Sequence, residues 1–392
     1  MKRLIKESKY LAHIILMLAI DMLVINQILR FGTLPESISI TIYGYSLLAS
    51  CLIMVWVIFR ECSYKIERFQ LILLFLFMLI GFMGFANSNA FSVILASEAG
   101  LLAFSYGHIT GHADNDIYVD LRHFYLLQWI VMSYFVVIEI IENFTKIIQA
   151  RSDVIAANNM IYYGFPLLLL FKNKRISAPE ILLTVFIVIA SAFSFKRTTL
   201  IAVIISLAVY YITRLKTRVS SAKKIILIPT FILAMVAIVR KIDEYSGGHI
   251  TKRFSDISAT GGNNRTEIWS GTIEAIKNSS FVKLFFGHGF NSVKELMGFS
   301  AHNDYIEIAY DFGIIGLLIY ILANCYVLSC VVKARKRNMD EYPVFITTYI
   351  AFVILSLFSH VYLYAFVAIP FLMFMGYLCQ KVQNGLIDKE KE

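Results

Sequence analysis

Apolar and polar positions along this chain fall in long blocks, without the short alternation of a water-soluble fold. Predominantly apolar windows of about 18 residues or more recur, each long enough to cross a hydrocarbon core as a helix. In order they give about 12 candidate spans: Leu11–Leu29, Ile40–Phe59, Phe69–Ala86, Phe91–Tyr106, His123–Ile141, Ile155–Phe171, Pro179–Phe195, Thr198–Ile212, Ile225–Val239, Phe312–Val332, Val344–Ser359 and Val361–Cys379. One stretch breaks the pattern. From Arg240 to Asp311 the chain is water-compatible for roughly 70 residues before turning apolar again. Lipid supplies no hydrogen bonds, so the spans are helices, which pair their backbone groups internally. The pattern therefore predicts an all-α polytopic membrane protein in three segments. Residues 1–239 carry about nine N-terminal helices, 240–311 form one large loop, and 312–392 carry about three C-terminal helices and a tail.

Composition agrees. Of 392 residues, 58% are hydrophobic and only 16% charged, against about 25% charged in a soluble domain. The formal net charge is +9, and its placement is informative. With every span crossing, alternate loops (MKRLIKESK, RECSYKIER, residues 107–122, Lys172–Arg175, Arg214–Lys224, Lys333–Arg337 and the tail) hold about 23 of the 36 Lys and Arg, while the opposite short loops hold about five. That asymmetry puts both termini in the cytoplasm and residues 240–311 on the outer side; long loops translocate whatever their charge. The short 91–106 segment, which contains Glu98, counts as spanning because deleting it would set MKRLIKESK opposite Lys172–Arg175. No basic face on a soluble domain is present, which excludes nucleic acid as a partner. The five cysteines lack metal-ligand spacing and read as free thiols. The N-terminus has no clear small-residue cleavage site and reads as a retained first helix. Residues 107–122, with His108, His112, Asp114 and Asp116, read as a solvated cytoplasmic turn. Asp21 and Glu98, inside spans, line a polar cavity or pair with a neighbouring helix.

The candidate chemistry lies in and beside the polar interval. Asn263-Asn264-Arg265-Thr266-Glu267-Ile268-Trp269 reads as a helix start, with Asn264 as cap and Glu267 three residues on. Trp269, Ile273 and Ile276 then share one face, predicting an amphipathic helix of about four turns over the membrane. Arg265 in the first turn opposes the helix dipole. Helix N–H groups and a guanidinium pointing the same way suit an anion such as phosphate, although a partner in Glu267 or lipid headgroups would also account for it. Lys196 and Arg197, in Phe195-Lys196-Arg197-Thr198-Thr199, put two cations on the outer side against the topology bias. They either snorkel to headgroups or clamp a lipid phosphate. Phe285-Phe286-Gly287-His288-Gly289-Phe290-Asn291 reads as a mobile turn. Ala301-His302-Asn303-Asp304-Tyr305-Ile306-Glu307 places a histidine, the residue suited to general-base work near neutrality, before a helix that enters the membrane at about Phe312.

Taken together, SFKRTTLIAVII, NNRTEIW, FGHGFNSV and AHNDYIEIAYDFGIIGLLIYIL resemble the O-antigen polymerase and ligase superfamily, over roughly Ser194–Leu322. The resemblance implies a GT-C-like, metal-independent, inverting membrane glycosyltransferase with no cofactor, in the bacterial inner membrane. Its donor and acceptor would be undecaprenyl-pyrophosphate-linked oligosaccharides in the bilayer, with a flippase and chain-length regulators as candidate partners. It implies pyrophosphate-binding roles for Arg197 and Arg265 and a catalytic role for His302. Lys196 stands where many relatives have a small residue. Lys196, Asn303, Asp304, Glu307 and His288 are further candidates for substrate contact, and no metal ligand is expected. The implied function is polymerisation of lipid-linked repeat units into O-antigen or capsular polysaccharide, with ligation to lipid A-core as the alternative. A transporter would set its polar residues near mid-membrane in matching halves, and this chain concentrates them in one loop.

Overall fold

The computed structural model describes residues 2–29, 35–61, 91–110, 116–148, 160–171, 176–216, 221–260, 265–362 and 364–389. Every regular element among them is helical. Among the described residues, five helices are long and apolar enough to cross a membrane: Ser37–Arg60, Tyr125–Glu142, Arg197–Leu215, Gly313–Lys336 and Ala365–Asn384. Three shorter apolar helices, Ile14–Leu23, Ala178–Phe193 and Tyr342–Phe358, complete the apolar set among the described residues. The multi-pass, all-helical architecture read from hydropathy is thus present. The expected span Phe69–Ala86 lies outside the described residues, as does the first part of Ile155–Phe171.

The chain forms two compact units. The first comprises residues 1–121, 267–330 and 360–392. Its centre is the Ala365–Lys389 helix, whose apolar window is 89% buried. Phe91–Thr110 packs along it at backbone contact: a Cβ on Gly107 would fall 1.9 Å from the Met373 carbonyl oxygen, and one on Gly376 2.1 Å from that of Phe104. Small residues allow this approach between apolar helices. The helix runs on through Gly107 and His108 to Thr110, correcting the solvated turn expected there. His108 is buried, with Nε2 3.0 Å from the Tyr326 hydroxyl. Residues 111–115, with His112 and Asp114, lie outside the described residues. Asp21 and Glu98 are both buried in this unit.

The second unit comprises residues 122–266 and 331–359. Here Tyr342–Phe358 packs on Arg197–Lys216, which also meets Ala178–Phe193 and Ser221–Tyr245. Arg214, expected in a charged cytoplasmic loop, is instead the buried third residue from the end of Arg197–Lys216. Its Nε lies 2.7 Å from Glu180 Oε1, and its Nη2 donates to Glu180 Oε2 at 3.1 Å and to the Phe171 carbonyl. Tyr210 donates to Glu180 Oε1 at 2.9 Å. A guanidinium is tolerated among apolar helices only when its charge and donors are matched. Glu180→Ala would leave that charge buried and unpaired, at a cost of about 3–5 kcal/mol. We expect Glu180→Ala to lower the thermal midpoint of the detergent-solubilised protein sharply, and Glu180→Ala with Arg214→Met to recover much of the loss; equal midpoints for the two variants would contradict the pairing.

Candidate active site

The first group of site residues lies in the second unit. The Ala178–Phe193 helix ends at Ser194, which donates to the Ser191 carbonyl at 2.7 Å and accepts the Lys196 amide at 3.3 Å. Phe195 then turns with φ 49°, a left-handed conformation unusual for a side chain of its size. The turn makes Arg197 the first residue of the Arg197–Lys216 helix. A reciprocal pair of hydrogen bonds holds it: Arg197 Nη1 donates to the Arg253 carbonyl, and Arg253 Nη1 donates to the Phe195 carbonyl at 2.9 Å. The Phe195 ring meets His249 edge-on, centroids 5.1 Å apart. Arg253 belongs to the His249–Thr260 helix. Asp243 fixes the entry to that helix by accepting the Ile250 and Thr251 amides at 2.7 and 3.2 Å. Lys196, Arg197 and Arg253 all border one small cleft, with Phe195, Ile250 and Phe254.

Arg265 is the first residue of the Arg265–Lys277 helix; its expected cap, Asn264, lies outside the described residues. Arg265 Nη1 donates to the Phe358 carbonyl at 2.9 Å, and the Thr198 hydroxyl donates to the same oxygen at 3.1 Å. Arg265 is therefore carried to the start of the helix that Arg197 opens. Burial, and secondarily the Arg197 charge, lower the Arg265 pKa below its usual value. Two cations that feel one another, each on the first residue of a helix, make a site that gains from an anion.

The remaining site residues lie in the first unit. The predicted apolar face of Arg265–Lys277 does not face outward. Ile268 and Thr272 are buried, and Trp269 and Ile276 pack with Val293, Ala301 and Tyr310, while Ile273 is the one left exposed. Trp269 Nε1 donates to the Ala301 carbonyl at 2.6 Å, which fixes the residue preceding His302. His302 itself has φ 53°. Its ring lies tilted against that of His360, centroids 4.4 Å apart at 31°. His360 Nδ1 lies 3.9 Å from Asp304 Oδ1, and Asp304 Oδ2 accepts the Val361 amide at 3.1 Å. Asn303 caps the Asp304–Asp311 helix by accepting the Tyr305 and Ile306 amides at 2.9 and 3.1 Å. Glu307 accepts the Ala301 amide. The turn bearing His302 is thus tied from both sides.

The turn bearing His288 is held by several contacts. His288 lies with its ring flat on Tyr310, centroids 4.1 Å apart at 9°. Its backbone amide donates to the Tyr310 carbonyl at 3.0 Å, and Nδ1 and Nε2 lie 3.3 Å from that carbonyl and 3.4 Å from the Ser279 hydroxyl. Burial lowers its pKa, with the Lys283 charge adding to the effect against the Tyr310 carbonyl.

Residues 181–321 match the family model described as O-antigen ligase. The match supports a likeness to the O-antigen polymerase and ligase superfamily over that segment. No curated protein matches the chain. The matched segment includes Lys196, Arg197, Arg253, Arg265, His288 and His302, and it ends before His360. Two residues of the candidate site, Arg253 and His360, were not legible in the sequence. Arg253 was one cation among several in the polar interval, with nothing in its spacing to link it to Phe195. His360 was legible only as a polar interruption between two apolar spans.

Burial pushes the Glu307 carboxyl up to about 7, against the Ala301 amide that lowers it. A raised carboxylate pKa means that its stabilising contribution is present below the usual glutamate value of 4.5 and lost as pH rises through about 7. Glu307→Gln keeps an acceptor for Ala301 and cannot ionise. We expect wild-type thermal stability to fall from pH 5 to pH 8 more than that of Glu307→Gln, and Glu307→Ala to be less stable than both throughout. Parallel wild-type and Gln profiles would show that Glu307 ionisation is not coupled to the turn.

Proposed function

We propose that this protein is a metal-independent, inverting glycosyltransferase that polymerises undecaprenyl-pyrophosphate-linked oligosaccharide repeat units into O-antigen or capsular polysaccharide. The reaction takes place at the outer face of the bacterial cytoplasmic membrane, on the 240–311 interval and the helix ends beside it, in a GT-C-like arrangement with both termini cytoplasmic. The observation that carries the reading is the pairing of Arg197 and Arg265: both open helices, and Arg265 shares the Phe358 carbonyl with Thr198, the neighbour of Arg197. Such a pair suits a pyrophosphate, with Lys196 adding charge.

In the proposed step an acceptor sugar hydroxyl attacks the anomeric carbon of the donor. The bond from that carbon to the pyrophosphate oxygen breaks, and undecaprenyl pyrophosphate leaves with the electron pair. Arg197, Arg265 and two helix N-termini stabilise the charge that develops on the leaving group. His302 takes the hydroxyl proton, with the His360 ring behind it. Arg253 is a positioning residue for Arg197. We assign Asn303, Asp304 and Glu307 to holding the His302 turn in preference to sugar contacts, because each accepts a backbone amide. A second reading, ligation of finished glycan to lipid A-core, is favoured by the description of the matched family. Purified protein given lipid-linked repeat units alone separates the two. Elongated glycan supports polymerisation, and product formed only when lipid A-core is added supports ligation.

Arg265→Ala should abolish glycan extension at normal membrane abundance, and Arg265→Lys should restore little of it, since an ammonium cannot form bidentate contacts with phosphate. Full activity of the Ala variant would remove Arg265 from the site. Because cations hold the leaving group, extension should persist in excess EDTA; a strict requirement for added divalent ion would contradict that. His302→Ala should lose about 10²–10⁴-fold in turnover while donor still binds. His302→Gln, which can accept a hydrogen bond but not a proton near neutrality, should lose a comparable factor, and wild-type turnover of the Gln variant would leave His302 an orienting role only.

A further inference from the structure

The loop carries an apolar surface that the reaction does not use. The short Phe281–Phe286 helix exposes Phe281 (75%), Val282 (64%) and Phe286 (37%). At about 100° per residue, these and Phe285 cover an arc of about 140°, with Lys283 about 60° beyond one end of it and Leu284 about 60° beyond the other. Lys283 is exposed and Leu284 half-buried, so the apolar arc is the outward one. An arc this apolar is not a water-facing surface by composition.

Its position in the fold says what covers it. The helix ends at Gly287 (φ 83°), where a Cβ would lie 2.2 Å from the Asp311 carbonyl oxygen. Gly313 (φ 70°) opens the Gly313–Lys336 candidate span, and a Cβ there would lie 2.4 Å from the Phe285 carbonyl. The Gly289 amide donates to the Asp311 carbonyl at 2.9 Å. The last turn of Phe281–Phe286 is therefore in backbone contact with the residue at which the chain begins a membrane-length apolar helix. A helix at that level, apolar over one arc with a lysine at the rim, has the composition of an element lying in a bilayer interface.

We propose that Phe281–Phe286 is an interfacial anchor, with Phe281, Val282 and Phe286 inserted at the headgroup–acyl boundary of the bilayer and Lys283 reaching lipid phosphate. Lysine can place its stem along apolar surface and its ammonium among headgroups. This role was expected of the Trp269 face, which the structure turns inward.

The test is site-directed spin labelling of the full chain, in a background with its five native cysteines replaced, reconstituted in nanodiscs containing anionic phospholipid. Nitroxides at Phe281→Cys, Val282→Cys and Phe286→Cys should collide several-fold more often with oxygen than with a water-soluble nickel chelate. A nitroxide at Glu274→Cys, exposed in the neighbouring helix, should show the reverse. Lys283→Glu should lower the oxygen-to-nickel ratio at Phe281→Cys in anionic bilayers and leave it unchanged in zwitterionic ones. Labels at 281 and 282 as accessible to nickel as the one at 274 would overturn the proposal, as would labels shielded from both reagents, which would mean a protein partner or second copy. If the cysteine-free background does not fold, the unmodified protein in bilayers containing a photoactivatable phospholipid decides: crosslinks within residues 281–286 support the anchor, and their absence while the spanning helices crosslink overturns it. Neither readout depends on glycan transfer, so failure here is separable from failure of the proposed reaction.

Discussion

A cation on the first residue of a membrane-length helix opposes the helix dipole and sits at the edge of an apolar medium. The cationic group depends on how that cost is met. At Arg197 the reciprocal bonds with Arg253 meet part of it, because each guanidinium satisfies a carbonyl of the other's segment. They also hold Phe195 in its left-handed turn, a conformation that costs of order 1–3 kcal/mol and persists only where its surroundings over-determine it. The short connection between Phe193 and Arg197 could not direct the Arg197 side chain without that turn. Arg265 meets the same cost through the Phe358 carbonyl, at the negative end of the Tyr342–Phe358 helix. Each guanidinium has five donors and spends few of them in the bonds described here, which is the condition under which a bound anion is gained instead of excluded.

Around His302 the ordering is done by carboxylates instead. Asp304, Glu307 and Asp311 occupy one face of an eight-residue helix, and all three are fully buried. A carboxylate in such surroundings needs donors, and backbone amides supply them. Val361 donates to Asp304, Ala301 to Glu307, and Asn291 and Ser292 to Asp311, the last two at 2.7 and 3.0 Å. Burial nevertheless raises the Asp311 pKa well above the usual carboxylate range. One short helix therefore gathers three separate stretches of chain, and the contact of His360 with His302 follows from the bond at Val361. The acids organise the loop, and the two rings are brought together as a consequence.

The helical, multi-pass character and the polar interval were legible because both rest on composition over long windows. The helix starts at Arg197 and Arg265, and the helix just after His302, were legible from the polar residues that interrupt the apolar pattern there. What escaped the sequence depended on contacts distant along the chain. Arg253 meets Phe195 across 58 positions, and His360 meets His302 across a full spanning helix and its return. The face of Arg265–Lys277 was misassigned for a related reason. Periodicity identifies an apolar stripe but not what it packs against, and here Val293, Ala301 and Tyr310 take it. Arg214 was placed in a loop because an arginine at the end of an apolar run reads as its boundary, and only the Glu180 partner shows that the helix continues past it.

The break between Asp311 and Gly313 has its own physical logic. Asp304–Asp311 and Gly313–Lys336 are separated by a single residue, and a continuous helix would carry the buried acidic face straight into the apolar span. The reversal at Phe312 and Gly313 prevents this, because Gly313 at φ 70° redirects the chain where a residue with a Cβ would be both strained and in collision with Phe285. Ending the helix there leaves its last carbonyls without intrahelical donors. The amides of His288 and Gly289 take those of Tyr310 and Asp311 at 3.0 and 2.9 Å. The glycines on either side of His288 are thus explained by the helix they terminate, 22 positions further along the chain. The same contact fixes the end of Phe281–Phe286 against the start of the span, so the depth at which that short helix meets the bilayer and the point at which the acidic helix stops are set by one junction.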